Sequence, residues 1–263
     1  MESLRMYWIY LKLSVKSQWQ YRANFVLVSV GVFLGNILDA LGLWALFERF
    51  GAIPGWTLAE AMVLYGLVNV TFALADTLWR GFDIFNRFIQ NGELDRMLLR
   101  PRPLPLQLLG AEFRINRVGR LAQGVLVLAL GLAGVHVAWS AARVLLLLWA
   151  ACGGILLFGG MFVLQATLSV FSVESIEMVN AISYGGVYIA GYPMEVYGDT
   201  FRTFFTYVVP LAAVVYLPVC ALLGKGVTLG AAFLWPLAGA AFLAVAFLVF
   251  YRLGLPRYTS VGA

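Results

Sequence analysis

Histidine and cysteine are nearly absent from this sequence: it holds one histidine and two cysteines in 263 residues. The histidine is His136. It cannot form a His-x-x-x-His pair, and Cys152 and Cys220 lie too far apart in sequence to build a Cys/His cluster with it. It could serve a Ser/His/Asp set only by chance. Both cysteines sit in apolar surroundings and read as packing residues. A phosphate loop is also lacking. At Gly224-Lys225-Gly226, Val219 stands where the first glycine belongs and Gly226 where a serine or threonine belongs. The chain therefore does not bind ATP by that route, and these residues offer no metal site and no catalytic residue.

Charge is the next scarcity. Charged residues make up 12% of the chain, hydrophobic residues 62%, and the mean hydropathy is +0.87. A soluble domain usually carries about 25% charged residues. Low charge spread over long apolar runs means solvation by lipid. No stretch is polar enough to be a soluble domain of its own, so residues 1–263 read as a single all-α integral membrane domain. The net charge of +5 does not point to nucleic acid, because the basic residues are placed for topology. Nor does the start of the chain read as a cleavable signal, since Lys12, Lys16 and Arg22 interrupt its apolar region.

Seven apolar runs are present: 24–47, 58–79, 118–137, 143–172, 177–192, 204–223 and 229–251. Before them, Leu4, Trp8, Leu11, Val15 and Trp19 recur at helical spacing while Arg5, Lys12, Lys16 and Arg22 take other faces. Residues 1–22 thus read as an interfacial helix. Placing 1–23, 80–120 and 252–263 on the cytoplasmic side puts 14 of the 18 Lys and Arg residues there. That bias puts both termini in the cytoplasm and requires an even number of crossings. Pro210 and Pro218 interrupt 204–223, so this run is expected to dip in and return. The expected architecture is six transmembrane helices with an outer re-entrant helix pair, within 193–228, between the fifth and sixth. Glycines of the third span should admit close neighbours, and Gly153-Gly154 and Gly159-Gly160 are expected to loosen the fourth.

The one long, charge-rich segment is 80–117, taken as cytoplasmic. Phe82, Phe85, Phe88 and Ile89 share a helical face opposite Asp83, Asn86, Arg87 and Gln90. Gly92 should end or bend that helix. Glu93 and Asp95 suit the start of a second short helix, and Arg96 and Arg100 its end. Pro101, Pro103 and Pro105 stop it. A further helix over 106–117 is expected to begin in water and run into the third span near Arg120. Two readings of the segment stand side by side here: a docking platform, or a solvated loop that only sets topology. Inside the spans, Asn36, Asp39, Asn69, Asp76, Gln165, Ser169 and Asn180 are candidates to line a pathway or a dimer seam, because polar groups in hydrocarbon must face protein or water.

The run Gly92-Glu93-Leu94-Asp95-Arg96-Met97-Leu98-Leu99-Arg100-Pro101 carries a resemblance. With Tyr192-Pro193, Val209-Pro210-Leu211-Ala212, Tyr216-Leu217-Pro218 and the tail Arg257-Tyr258-Thr259-Ser260-Val261-Gly262, it resembles the permease subunits of bacterial ABC transporters of the type-2 export class, in a six-span branch of about this chain's length. The resemblance implies a subunit in the bacterial inner membrane that pairs with a copy of itself or a sister permease. It also implies two separate ATPase subunits, which bind the ATP and magnesium. A coupling helix between the second and third spans would dock on them. By that likeness Phe82 to Gln90 would be the docking helix, with Phe85, Phe88 and Ile89 as apolar anchors. Asp83, Arg87, Glu93, Asp95, Arg96 and Arg100 would be polar contacts, with Gly92 and Pro101 bounding the motif. The substrate would be amphipathic or hydrophobic: a drug, antibiotic, lipid or glycan. Two rivals remain: an ion-coupled transporter using Asp39 and Asp76, and a non-transporting anchor of a membrane complex.

Overall fold

The computed structural model describes residues 22–50, 53–112, 117–171 and 183–260. The interfacial helix expected over 1–22 lies outside these residues except for Arg22, as do the first part of the run at 177–192 and Asn180. The described residues are helical, without strands. Helix α1 is Arg22–Phe50, α2 is Leu58–Leu78, α7 is Val118–Gly134 and α8 is Ala141–Leu168. Between α2 and α7 the described residues form four short helices: α3 Arg80–Asp83, α4 Phe85–Gln90, α5 Glu93–Leu98 and α6 Leu104–Ala111. Residues 183–190 form α9, followed by α10 Asp199–Thr203, α11 Leu217–Leu222, α12 Leu229–Ala232 and α13 Leu237–Val249.

Among the described residues, four helical stretches are long and apolar enough to cross a membrane: Ala23–Arg49, Leu58–Leu78, Ala141–Leu168 and Leu229–Arg257. Val118–Gly134 is apolar but shorter. The stretches Asp199–Val208 and Ala212–Leu222 meet at 83°. Val209-Pro210-Leu211 forms the break, since proline has no N–H to continue the helix and holds the residue before it extended. Val209 is indeed extended, at φ −114° and ψ 90°. Pro218 lies inside the continuous stretch Ala212–Leu222, just after the wider π turns of Ala212–Tyr216, and does not break it.

Helix α2 is the centre of the bundle. Its start is fixed by a capping box in which Thr57 and Glu60 satisfy each other's backbone N–H groups. Lys225 pairs with Glu60 at 3.1 Å and lies 4.7 Å above the Trp56 ring, so the Gly224-Lys225-Gly226 turn straps that end of α2. Along α2, a Cβ added at Gly66, Gly124 or Gly131 would collide with the facing helix, so α2 and α7 touch backbone to backbone. The glycines of α8 do not loosen it. The helix runs unbroken through them, and they seat neighbours instead: Gly153 takes Pro236, Gly154 takes Thr71, Gly159 takes the Trp79 ring and Gly160 takes Phe242. Helix α1 stays largely exposed, with Leu27, Leu34 and Leu38 outward, a face suited to lipid or to another protein. Cys220 is buried, as a packing residue should be, whereas Cys152 is exposed.

Candidate functional site

Residues 80–112 cover one end of the bundle. The sequence suggests one amphipathic helix over 82–90, but the chain forms two, broken at Ile84 with φ −97° and ψ 19°. The break serves packing. Gly81 lies against the Leu108 carbonyl of α6, where a Cβ has no room. Phe82, Phe85 and Phe88 are all buried. Phe82 meets Phe247 at 5.7 Å and Phe250 at 5.9 Å, and Phe85 meets Phe250 at 5.6 Å. Aromatic pairs of this kind contribute about 0.5–1.5 kcal/mol each beyond area burial. Phe82 and Phe85 therefore fasten the segment to the last span, and Phe88 is buried in the same core. As anchors for a partner they are already spent, because the apolar face sensed in the sequence finds its counterpart inside the chain. Ile89 is half-buried.

Asp83 likewise turns inward. Its side chain is 6% exposed and pairs with Arg80. The Tyr184 hydroxyl donates to it at 3.1 Å and Gln165 Nε2 at 3.0 Å, with a second bond from Gln165 to the Asp83 carbonyl at 3.1 Å. One carboxylate thus joins α3, α8 and α9. One turn away, buried Asp76 pairs with Arg117 at 2.8 Å and Arg80 at 3.4 Å. Arg120 donates to Asn69 Oδ1 at 3.3 Å and stacks 4.4 Å above the Phe72 ring. Three guanidinium groups thus surround two carboxylates where α2, α3, α7, α8 and α9 converge. Such a network is weak evidence for stability but fixes one arrangement, since removing a partner from a buried pair costs about 3–5 kcal/mol.

Gly92, at φ +64°, turns the chain between α4 and α5. Beyond it the surface opens. Glu93 and Asp95 are half-buried, while Arg96, Leu98, Leu99, Arg100, Pro101, Arg102 and Pro103 are exposed, Leu99 at 86%. Gln107 holds this rim from behind, donating to the carbonyls of Met97 at 2.9 Å and Arg102 at 3.0 Å. Arg87 is exposed and pairs with Glu112 at 2.6 Å. Helix α6 ends at Ala111, and Glu112 is extended, so α6 is separate from α7.

The seven pathway or seam candidates do not gather in one place. Asn69, Asp76 and Gln165 belong to the polar network just described. Ser169 Oγ bonds its own helix at the Ala166 carbonyl, 2.8 Å away. Asn36 Nδ2 donates to the Val32 carbonyl at 2.6 Å, and Tyr188 donates to Asp39 Oδ2 at 3.4 Å. Asn180 is outside the described residues. The sequence reading missed Arg80, Arg117, Arg120 and Tyr184 as partners. Asp76, Arg80 and Asp83 stand four and three apart, a helical ion-pair spacing that could have marked the first of these. Nothing local marks Tyr184.

No curated protein and no solved structure matches the chain. A family model does: the one described as ABC-2 family transporter protein matches residues 33–262. The chain belongs to that family, and is a multi-pass membrane permease component of an ABC transporter, a kind of subunit that works with an ABC ATPase.

Proposed function

We propose that this chain is the permease of an ATP-driven exporter in a bacterial inner membrane, with six spans and both termini in the cytoplasm. It works as a dimer, with a copy of itself or a sister permease, on two ATPase subunits that carry the ATP and magnesium. The ATPase docks on residues 80–112 at the rim from Arg96 to Pro103, flanked by Arg87, Ile89 and Glu93. One observation carries this reading. Leu99 stands 86% exposed between Arg96 and Arg100, on a segment whose other side is fixed into the bundle by Phe82, Phe85, Phe88 and Asp83. An exposed apolar side chain can fill a partner's groove, and the arginines beside it are of the residue type enriched at interfaces and hot spots. The bent pair Asp199–Leu222 serves as the re-entrant element. Export as the direction rests on the family resemblance.

The substrate is hydrophobic or amphipathic. An apolar cleft of about 360 Å³ between α1, α2 and α7 supports this; Ile37, Leu41, Trp44, Met62, Leu126 and Leu130 line it. Its lining offers nothing to solvate an ion. Asp76 is already held by two arginines, and Asp39 takes a hydrogen bond from Tyr188.

The test is co-purification from native membranes in mild detergent, wild type beside Leu98→Asp/Leu99→Asp. Wild type should retain an ATPase, and the double variant, still monodisperse, should lose at least about tenfold of it. A stable wild-type chain that brings down no ATPase, or a variant that retains all of it, overturns the proposal.

A further inference from the structure

The rim is tethered to the body of the protein by few contacts. Only Leu94 of α5 is buried, and Gln107 supports the chain just after it. Met97 packs half-buried against the core beside them, and a further tether comes from the far end of the sequence. Asp95 accepts a hydrogen bond from the Tyr258 hydroxyl at 3.0 Å on Oδ1, and from Ser260 Oγ at 2.7 Å on Oδ2. The tail is itself guided to that place. Gly254 packs against Thr167 of α8, and the Arg257 guanidinium lies 5.1 Å above the Phe171 ring. Just before them, Phe250 is buried against Phe82 and Phe85. The last span thus holds the connecting segment twice: by rings at α3 and α4, and by two hydroxyls at α5.

We propose that Tyr258 and Ser260 are positioning residues for the docking rim, clasping Asp95 so that α5 moves as one body with the last span. The inference rests on the docking reading above and adds the element that couples the rim's movement to the last span, while the turn at Gly92 aims it. Asp95 thereby changes role, from a polar contact of a partner to the anchor point of the chain's own tail. A carboxylate takes two hydroxyl donors well, one on each oxygen, and such charge-assisted bonds are the stronger kind. Burial and the bond to Asp95 push the Tyr258 hydroxyl above its ordinary ionisation range, so it stays a donor at neutral pH. The clasp gives a push on Leu99 a second route into the membrane. One route runs through Asp83 to α8 and α9, the other through Asp95 to the final span.

Backbone hydrogen exchange of the permease in lipid nanodiscs tests this without the ATPase. In Tyr258→Phe/Ser260→Ala, amides of residues 93–100 should exchange about tenfold faster than in wild type, and α2 and α8 should not change. Restoring one hydroxyl with Tyr258→Phe/Ser260→Thr should recover part of the protection. Unchanged exchange at 93–100 overturns the clasp. So does acceleration spread through α2 and α8, which would mean that the tail stabilises the whole fold rather than positioning α5. In the assembled transporter, the same double variant should bind the ATPase with unchanged Kd but turn over several-fold more slowly. Loss of binding together with turnover would also refute a positioning role. If wild type binds no ATPase, the docking reading fails, and the exchange result still decides the clasp.

Discussion

Asp83→Ala is the perturbation that probes the polar network most directly. Its size can be worked from the bonds lost. Arg80 loses the Asp83 carboxylate but keeps Asp76 at 3.4 Å, so one charge-assisted bond disappears without leaving an isolated buried charge. That costs about 1.5–3 kcal/mol. Tyr184 loses the acceptor it holds at 3.1 Å and leaves a buried hydroxyl unpaired, about 1 kcal/mol more. Gln165 keeps its bond to the Asp83 carbonyl at 3.1 Å and loses little. The sum is about 3 kcal/mol, which at about 2–4 °C per kcal/mol lowers the thermal midpoint by roughly 6–12 °C. Tryptophan fluorescence in detergent would follow it, since Trp79 sits 5.9 Å from Phe82 at the root of the segment. The sharper assay is a cycle with Tyr184→Phe. Alone, that change should cost about 1 kcal/mol; on top of Asp83→Ala it should instead recover up to about 1 kcal/mol, because it removes the hydroxyl left unpaired. The docking rim is untouched, so the ATPase should still co-purify with Asp83→Ala while its hydrolysis no longer responds to substrate. A midpoint that stays in place, or two effects that simply add, would show that Asp83 does not join the segment to α9.

Two glycines give the remaining predictions. Gly81→Ala should destabilise the fold by about 1–3 kcal/mol, because the new methyl meets the backbone carbonyl of Leu108, and a backbone cannot rotate out of the way as a side chain can; a thermal midpoint equal to wild type would refute the close approach of α3 and α6. Gly92→Ala forces a Cβ into the left-handed region at φ +64° and should cost about 1–2 kcal/mol. It should also weaken ATPase capture without touching the rim, and full capture by this variant would show that the turn does not aim Leu99.

Much of this architecture was legible because single residues dictate it. Gly92 turns the chain, Pro210 breaks the pair at 83°, and long apolar runs mark most of the spans. The apolar face of 82–90 was legible as well, but not that Asp83, read on the opposite face, turns inward past the break at Ile84. What periodicity does not encode is which body an apolar face meets. The spacing of Phe82 and Phe85 is the same whether they enter a partner's groove or pack on Phe247 and Phe250, which are distant in sequence. The clasp was hidden for the same reason, since Asp95 and Ser260 are 165 residues apart. Likewise, glycine pairs in α8 look like weak points until the helices beside them are known, and then prove to be contact points.

The connecting segment must present one side to the bundle and another outward, and the two breaks in it make this possible. Phe85 and Leu99 lie close to a whole number of turns apart at 3.6 residues per turn, so one continuous helix would point both the same way. Either the rings would leave the bundle, or Leu99 would be drawn into it. The left-handed turn at Gly92 separates the two requirements: α3 and α4 spend their apolar face on the last span, and α5 starts afresh with Leu94 inward and Leu98 and Leu99 outward. The proline run after Arg100 then ends the rim before the chain turns back into α6, where Gln107 grips both sides of it. A stiff root and a separately aimed tip suit a lever better than a single helix does, because a force on the tip reaches the spans through two fixed points, Asp83 and Asp95, and not through the torsion of one helix.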